Sequence, residues 1–316
     1  FIGDDIQPYI SIIYESINIL LFRYFGDNDG SFSQNEFEII KKLLSLKSIS
    51  PNFTDDDFNR RQLPFLYMAC FDGKIDVVEF LLNLENIDPN LYDPNTFNTP
   101  LMVSLERKYL KIAKLLISHP KTNINMRNIN KETALIIAVK NNQNEIIDLL
   151  VNDERFDPIE SRLNFAFIYS NNEITNQLYS LSCLDVNEEF NVPKKNHKIN
   201  ALYHSVEIND VDKIEKIIQH QSFDINKSKI NEVIFLSAEK NNIEVFKKLM
   251  KLIDNDINII NNQRQSLLVY SSKFLSGDIV DWILNNEHFD SKSSHLLNAF
   301  VQSYSNIPTS IQQQQQ

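Results

Sequence analysis

The sequence predicts an all-α solenoid: short antiparallel helix pairs stacked side by side and joined by short β-hairpin or loop fingers. Two observations predict it. The first is the stretch 131–151, which reads as two amphipathic helices divided by Asn141 and Asn142. Thr133 stands at an N-cap position, where its hydroxyl accepts from a free amide of the opening turn. Leu135, Ile136 and Ala138 give the first helix an apolar face. Asn tolerates the left-handed conformation that a tight helix end needs. Glu145 opens the second helix beside the positive end of its dipole, and Ile146, Ile147, Leu149 and Leu150 follow at helical spacing. Neither helix is long enough to be stable alone, so the unit needs neighbours.

The second observation is recurrence. Ala138 marks where neighbouring first helices approach, and its counterparts are Ala69, Ser104, Ala166, Ser205, Ser237, Ser271 and Ala299. The intervals are 35, 34, 28, 39, 32, 34 and 28 residues, with the short 28 and the long 39 adjacent and compensating. A period of roughly 33 residues marks one class of helical repeat. Thr99-Pro100-Leu101-Met102-Val103-Ser104 and Thr133-Ala134-Leu135-Ile136-Ile137-Ala138 resemble the Thr-Pro-Leu-His-x-Ala signature of ankyrin repeats. Gly73, four residues after Ala69, matches the glycine of that family, and Val77, Val78, Leu81 and Leu82 match its second helix. Elsewhere the glycine is replaced by Lys108, Asn142, Ser170, Asn209, Asn241 or Leu275. The chain therefore resembles a divergent ankyrin-type α-solenoid, protist-like in its Asn, Ile and Lys bias.

In chain order, residues 1–46 form an N-terminal helical pair, with 6–25 and the stretch after Glu36 as its helices. The loop between them, from Gly26 to Phe37, resembles an EF-hand. That resemblance places Asp27 and Asp29 on ligand positions three and five and Glu36 on the bidentate position twelve. Position one, normally Asp, holds Phe25, and no second hand is visible. The alternative is a turn followed by a Ser33–Glu36 capping box that merely caps the stack. Asp27, Asp29 and Glu36 are thus candidate calcium ligands, and no other cofactor is expected. Residues 47–61 are a polar connector. The repeat stack spans 62–306, about seven repeats and a terminal half-repeat. The fourth repeat follows Asp157-Pro158 almost directly, and a longer loop, 188–198, precedes the fifth. That loop reads as a slack surface insertion, the alternative being an elaborated finger that contacts a partner. Trp282 is expected in the core, and the Gln-rich tail 307–316 should be disordered.

Bulk properties narrow the function. A net charge of −11 with a single basic cluster at 194–198 argues against nucleic acid and against an anionic membrane surface. No stretch is long and apolar enough to span a bilayer. Cys70 and Cys183, both in apolar stretches, read as buried residues of a chain kept in a reducing cytosol. Five glycines do not build a phosphate loop, and six scattered histidines do not build a metal site.

Surface remains. The ankyrin resemblance implies a concave groove lined by the fingers and the exposed side of the first helices. It places the residue before each marker on that groove: Met68, Val103, Ile137, Phe165, His204, Leu236 and Tyr270. Arg107, Lys140, Tyr169 and Lys240 flank the strip. Such a greasy strip suits a partner's helix or extended segment; the alternative is that these side chains pack inward. The expected function is a non-enzymatic protein–protein interaction scaffold, cytoplasmic and monomeric, with an unknown protein partner. The alternatives are a calcium-responsive adaptor using the Asp27–Glu36 loop, or the regulatory part of a larger effector protein.

Overall fold

Turn chemistry sets the architecture. Four residues after each marker the backbone is left-handed, with φ of 70° at Gly73, 61° at Lys108, 55° at Asn142, 61° at Asn209, 52° at Asn241 and 57° at Leu275. This conformation ends the first helix of each pair and reverses the chain. The marker carbonyl then accepts the amide five residues on, as Ala138 does from Gln143 at 2.9 Å and Ser104 from Tyr109 at 2.8 Å. Ser170 is the exception: it is extended, with φ −69° and ψ 142°, and its repeat is the shortened one.

The structure is a computed structural model. It describes residues 9–289 apart from 11, 15, 18, 19, 21–33, 47, 48, 53–62, 192–196 and 288, and leaves out the side chains of 34–36. Asp27, Asp29, the Glu36 carboxylate, Ala299 and the tail 307–316 therefore lie outside the described residues.

The chain divides into two compact units, Phe1–Ile174 and Thr175–Gln316. The first holds α1 (Gln34–Leu44) and the pairs α2 (Phe65–Phe71) with α3 (Ile75–Leu82), α4 (Pro100–Glu106) with α5 (Leu110–Ser118), and α6 (Ala134–Lys140) with α7 (Asn144–Val151). It also holds α8 (Leu163–Tyr169), and the division falls inside α9 (Asn172–Tyr179). The first helices α2, α4, α6 and α8 pack in succession, and so do the second helices α3, α5 and α7. In the second unit the rest of α9 is followed by a hairpin of β1 (Phe190–Asn191) and β2 (Lys198–Ile199), paired antiparallel with Phe190 opposite Ile199. Three pairs follow: α10 (Ala201–Glu207) with α11 (Val211–Gln219), α12 (Ile230–Glu239) with α13 (Ile243–Lys251), and α14 (Leu267–Lys273) with α15 (Gly277–Leu284). Here α10, α12 and α14 pack in succession.

Local chemistry fits each element. Thr99, Thr133, Asn200 and Ser266 cap their first helices, each accepting the amide three residues on. The markers Ala69, Ser104, Ala138, Ala166, Ser205, Ser237 and Ser271 are all 0–1% exposed, so backbones approach at those points. Between repeats an asparagine makes a two-pronged bridge. Asn90 donates to the Lys121 carbonyl at 2.8 Å and accepts from the Asn123 amide at 2.6 Å. Asn52 bridges to the Asn86 carbonyl and Asp88 amide, Asn125 to those of Arg155 and Asp157, and Asn187 to those of Ser222 and Asp224. One amide thereby satisfies a donor and an acceptor of loop backbone that the helices leave unpaired.

Three expectations are corrected. Cys70 is buried, but Cys183 lies exposed in the turn after α9. The loop 188–198 is not slack at its ends, because burial of Phe190 and Ile199 pairs them as strands. Trp282 is half-buried, its ring edge-on to Phe246 at 5.3 Å rather than enclosed.

Candidate interaction site

The strip before the markers is largely core. Val103 is 1% exposed, Ile137 4%, Phe165 6% and Leu236 8%, whereas Met68, His204 and Tyr270 are half-buried. For Val103 and Ile137 this corrects the groove-facing expectation. The cause is the shortness of the first helices. In α4 every residue from Pro100 to Leu105 is buried, since seven residues are flanked by α2 and α6 and backed by α5. In α4 and α6 only the C-terminal end clears the neighbours.

In the first unit cations rest on rings, Arg107 and Lys140 at those clear ends and Arg162 at the N-cap of α8. The Arg107 guanidinium lies 3.7 Å from the Phe71 ring centre, Arg162 lies 4.1 Å from Phe165, and the Lys140 amine lies 4.9 Å from Tyr169. Lys140 also pairs with Glu132, and Asn98 holds the Glu106 carboxylate at 3.0 Å. Burial pushes the Glu106 carboxyl up, against the hydrogen bond from Asn98. Met68, Arg107, Lys140 and Tyr169 thus share one unit, with their charges already engaged.

The second unit holds a cleft of about 870 Å³. Tyr203 of α10, Glu232, Phe235, Leu236 and Glu239 of α12 and Tyr270 of α14 form its floor. The fingers supply its rims with Ile225, Asn226 and Lys229 on one side and Ile260 to Gln263 on the other. Tyr270 stands edge-on to Phe235 at 5.1 Å and donates its hydroxyl to Glu239 Oε2 at 2.8 Å. Burial pushes the Tyr270 hydroxyl up, and its bond to Glu239 pushes it further. Tyr203 is raised by burial and then by Glu207, Glu239 and Glu232. Both phenols therefore stay protonated donors at neutral pH. On the rim, Lys229 pairs with Glu189 at 2.9 Å, which neutralises it.

Of the residues expected from sequence, Leu236 and Tyr270 come together on this cleft, while His204 and Lys240 do not line it. His204 instead sits 3.7 Å from Glu207, and Lys240 is the exposed C-cap of α12. Tyr203, Phe235, Glu232, Glu239 and the finger residues were not expected. One signal was available: Tyr67, Tyr203 and Phe235 occupy the histidine position of the repeat signature, an aromatic substitution that recurs.

Among the described residues, no group of three His, Cys, Asp or Glu is placed to hold a metal ion. Cys70 is fully enclosed and burial pushes its thiol up, so the nucleophilic thiolate is suppressed. No helix among the described residues is long and apolar enough to cross a membrane.

The family model "Ankyrin repeats (3 copies)" matches residues 31–128 and 66–163. A putative ankyrin repeat protein, FPV022 of Fowlpox virus (strain NVSL), is 25% identical over 256 residues, which is 81% of this chain and 40% of that protein. Transient receptor potential cation channel subfamily A member 1 of Homo sapiens is 26% identical over 119 residues, 38% of this chain and 10% of the channel subunit. The chain thus spans well under half the length of these relatives. Among solved structures, the human ASB11 ankyrin repeat domain superposes with a TM-score of 0.47 at 16% identity, covering 75% of this chain and 97% of that one.

Proposed function

Because this chain carries ankyrin repeats, a fold that generally serves as a protein–protein interaction module, we propose that it is a non-enzymatic scaffold that binds a protein partner on the concave face of its second unit. The observation that carries this reading is the cleft of about 870 Å³ lined by three first helices and two fingers. It combines half-buried aromatic side chains with polar backbone and amide groups at its rim, the composition that binding hot spots favour. The outer helices offer the opposite surface. Their exposed charges, such as Lys247 on α13, are well solvated and contribute little net binding energy. A net charge of −11 disfavours polyanions, so the partner is a protein rather than nucleic acid.

Site-specific photo-crosslinking tests this. A benzophenone amino acid is placed at Tyr203 or Tyr270, or at the outer positions Lys216 or Lys247, in cells that express the chain natively. The inner positions are expected to yield a discrete protein adduct and the outer ones little. Equal labelling from both faces, or adducts only from the outer one, would sink the reading.

A further inference from the structure

The cleft of the second unit differs from the rim of the first in where its charge is free. In the first unit the cations of the rim lie over aromatic faces: Arg107 over Phe71, Lys140 over Tyr169 and Arg162 over Phe165. In the second unit the cleft itself carries two acids. Glu232 and Glu239 line the cleft, and among the described residues neither has an ion-pair partner at salt-bridge distance. The Tyr270 hydroxyl donates to one carboxylate oxygen of Glu239 and holds it in place. Among the lysines and arginines, Lys229 lines the cleft, and it is engaged with Glu189 at 2.9 Å. Tyr203 and Tyr270 stand half-buried beside these carboxylates.

Deepening the reading above, and resting on it, we infer that this cleft receives a lysine- or arginine-bearing extended segment of the partner protein. The alkyl stem of such a side chain packs on the exposed parts of the Tyr203 and Tyr270 rings, and its charged head meets Glu232 and Glu239. A cation is attracted to both a ring face and a carboxylate, and each gains strength in a partly desolvated cleft. Asn226 and Asn262 lie along the rim, where the segment's backbone needs hydrogen-bonding partners. The formal charge of −11 steers a basic segment toward the molecule.

The test uses the full chain and a random dodecapeptide library displayed on phage. Selected peptides are synthesised and titrated by fluorescence anisotropy. The expected winners carry Lys or Arg, and replacing that residue by norleucine or Glu weakens them at least tenfold. The double variant Glu232→Gln with Glu239→Gln keeps the side-chain shape and should weaken the same peptides at least tenfold while the helical signal is unchanged. The reversal Glu232→Lys with Glu239→Lys should abolish binding. Affinity should fall as salt rises. Winners without a basic residue, or binding indifferent to the Gln variant, would overturn the inference. Winners that depend on Tyr203 and Tyr270 but on no basic residue would keep the cleft as a binding face and discard this inference, whereas peptides that bind through Arg107 and Lys140 would discard both. A chain that selects no peptide on any face discards both.

Discussion

At the scale of single residues, the position four after each marker shows how one backbone demand is met by different chemistry. Gly73 meets it at φ 70°, and a Cβ there would lie 2.8 Å from the Tyr109 ring. Two penalties coincide: a left-handed backbone and a steric clash. Gly73→Ala should therefore destabilise by about 1–3 kcal/mol. Leu275 holds the same conformation at φ 57° with its side chain 61% exposed, so it carries the strain without a packing return. Leu275→Gly should stabilise by about 0.5–1 kcal/mol, the relieved strain exceeding the added chain entropy. Urea melts of both variants check this. If the two substitutions shift the midpoint in the same direction, the left-handed turns are not the determinant. Asn142, Asn209 and Asn241 are the intermediate solution, since Asn adopts this region more readily than other non-glycine residues.

At the scale of the element, the ends of the second helices need partners that the helices cannot supply. Arg155 serves α5. Its guanidinium donates to the carbonyls of Ile117, His119 and Thr122, and to both oxygens of Asp153. A planar fork reaches several acceptors at once, which a lysine amine does not match. Arg155→Ala should cost about 2–3 kcal/mol at neutral pH by stranding those carbonyls. Asp153 is held below the usual carboxylate range by the hydrogen bond from Arg155. A depressed folded-state value means that its contribution is present above the unfolded value of about 3.9 and is lost as pH falls through the lower folded value. The stability gap between the parent chain and Arg155→Ala should thus narrow in acid, which melts at pH 7 and pH 3 compare directly. A gap that stays constant would mean that Asp153 adds nothing through Arg155.

At the scale of the molecule, stability is spread over nearest-neighbour interfaces rather than one core. Each first helix has seven to ten residues and depends on its neighbours for order. Ala138 is fully enclosed within the first unit. Ala138→Lys places an unpaired charge there, at a cost of about 3–5 kcal/mol. Trp282, packed on Phe246 in the second unit, is the sole tryptophan and reports on that unit alone. The variant should lose helical signal at low denaturant while the tryptophan emission remains native. If both signals collapse together, the chain behaves as one cooperative body. If neither moves, Ala138 is not a close-packed marker.

The sequence by itself determined the repeat. The marker spacing, the caps Thr99 and Thr133 and the turn-forming Asn142, Asn209 and Asn241 are local features, and local chemistry dictates them wherever the chain goes. Tertiary structure decided which of the repeated positions meet solvent. Val103 and Tyr270 precede their markers in the same way, yet one is core and the other lines a cleft. The difference lies in what surrounds each helix. Val103 sits on a helix with neighbours on both flanks and a partner behind it, whereas Tyr270 borders the gap between the fingers. The same holds for Cys183, apolar in its local context and exposed in the fold, and for Glu232 and Glu239. Their charge gains meaning only when helices and fingers from separate repeats set them beside Tyr203 and Tyr270. Periodicity fixes which side of a helix is apolar, but exposure depends on side chains that lie about one repeat away in the sequence.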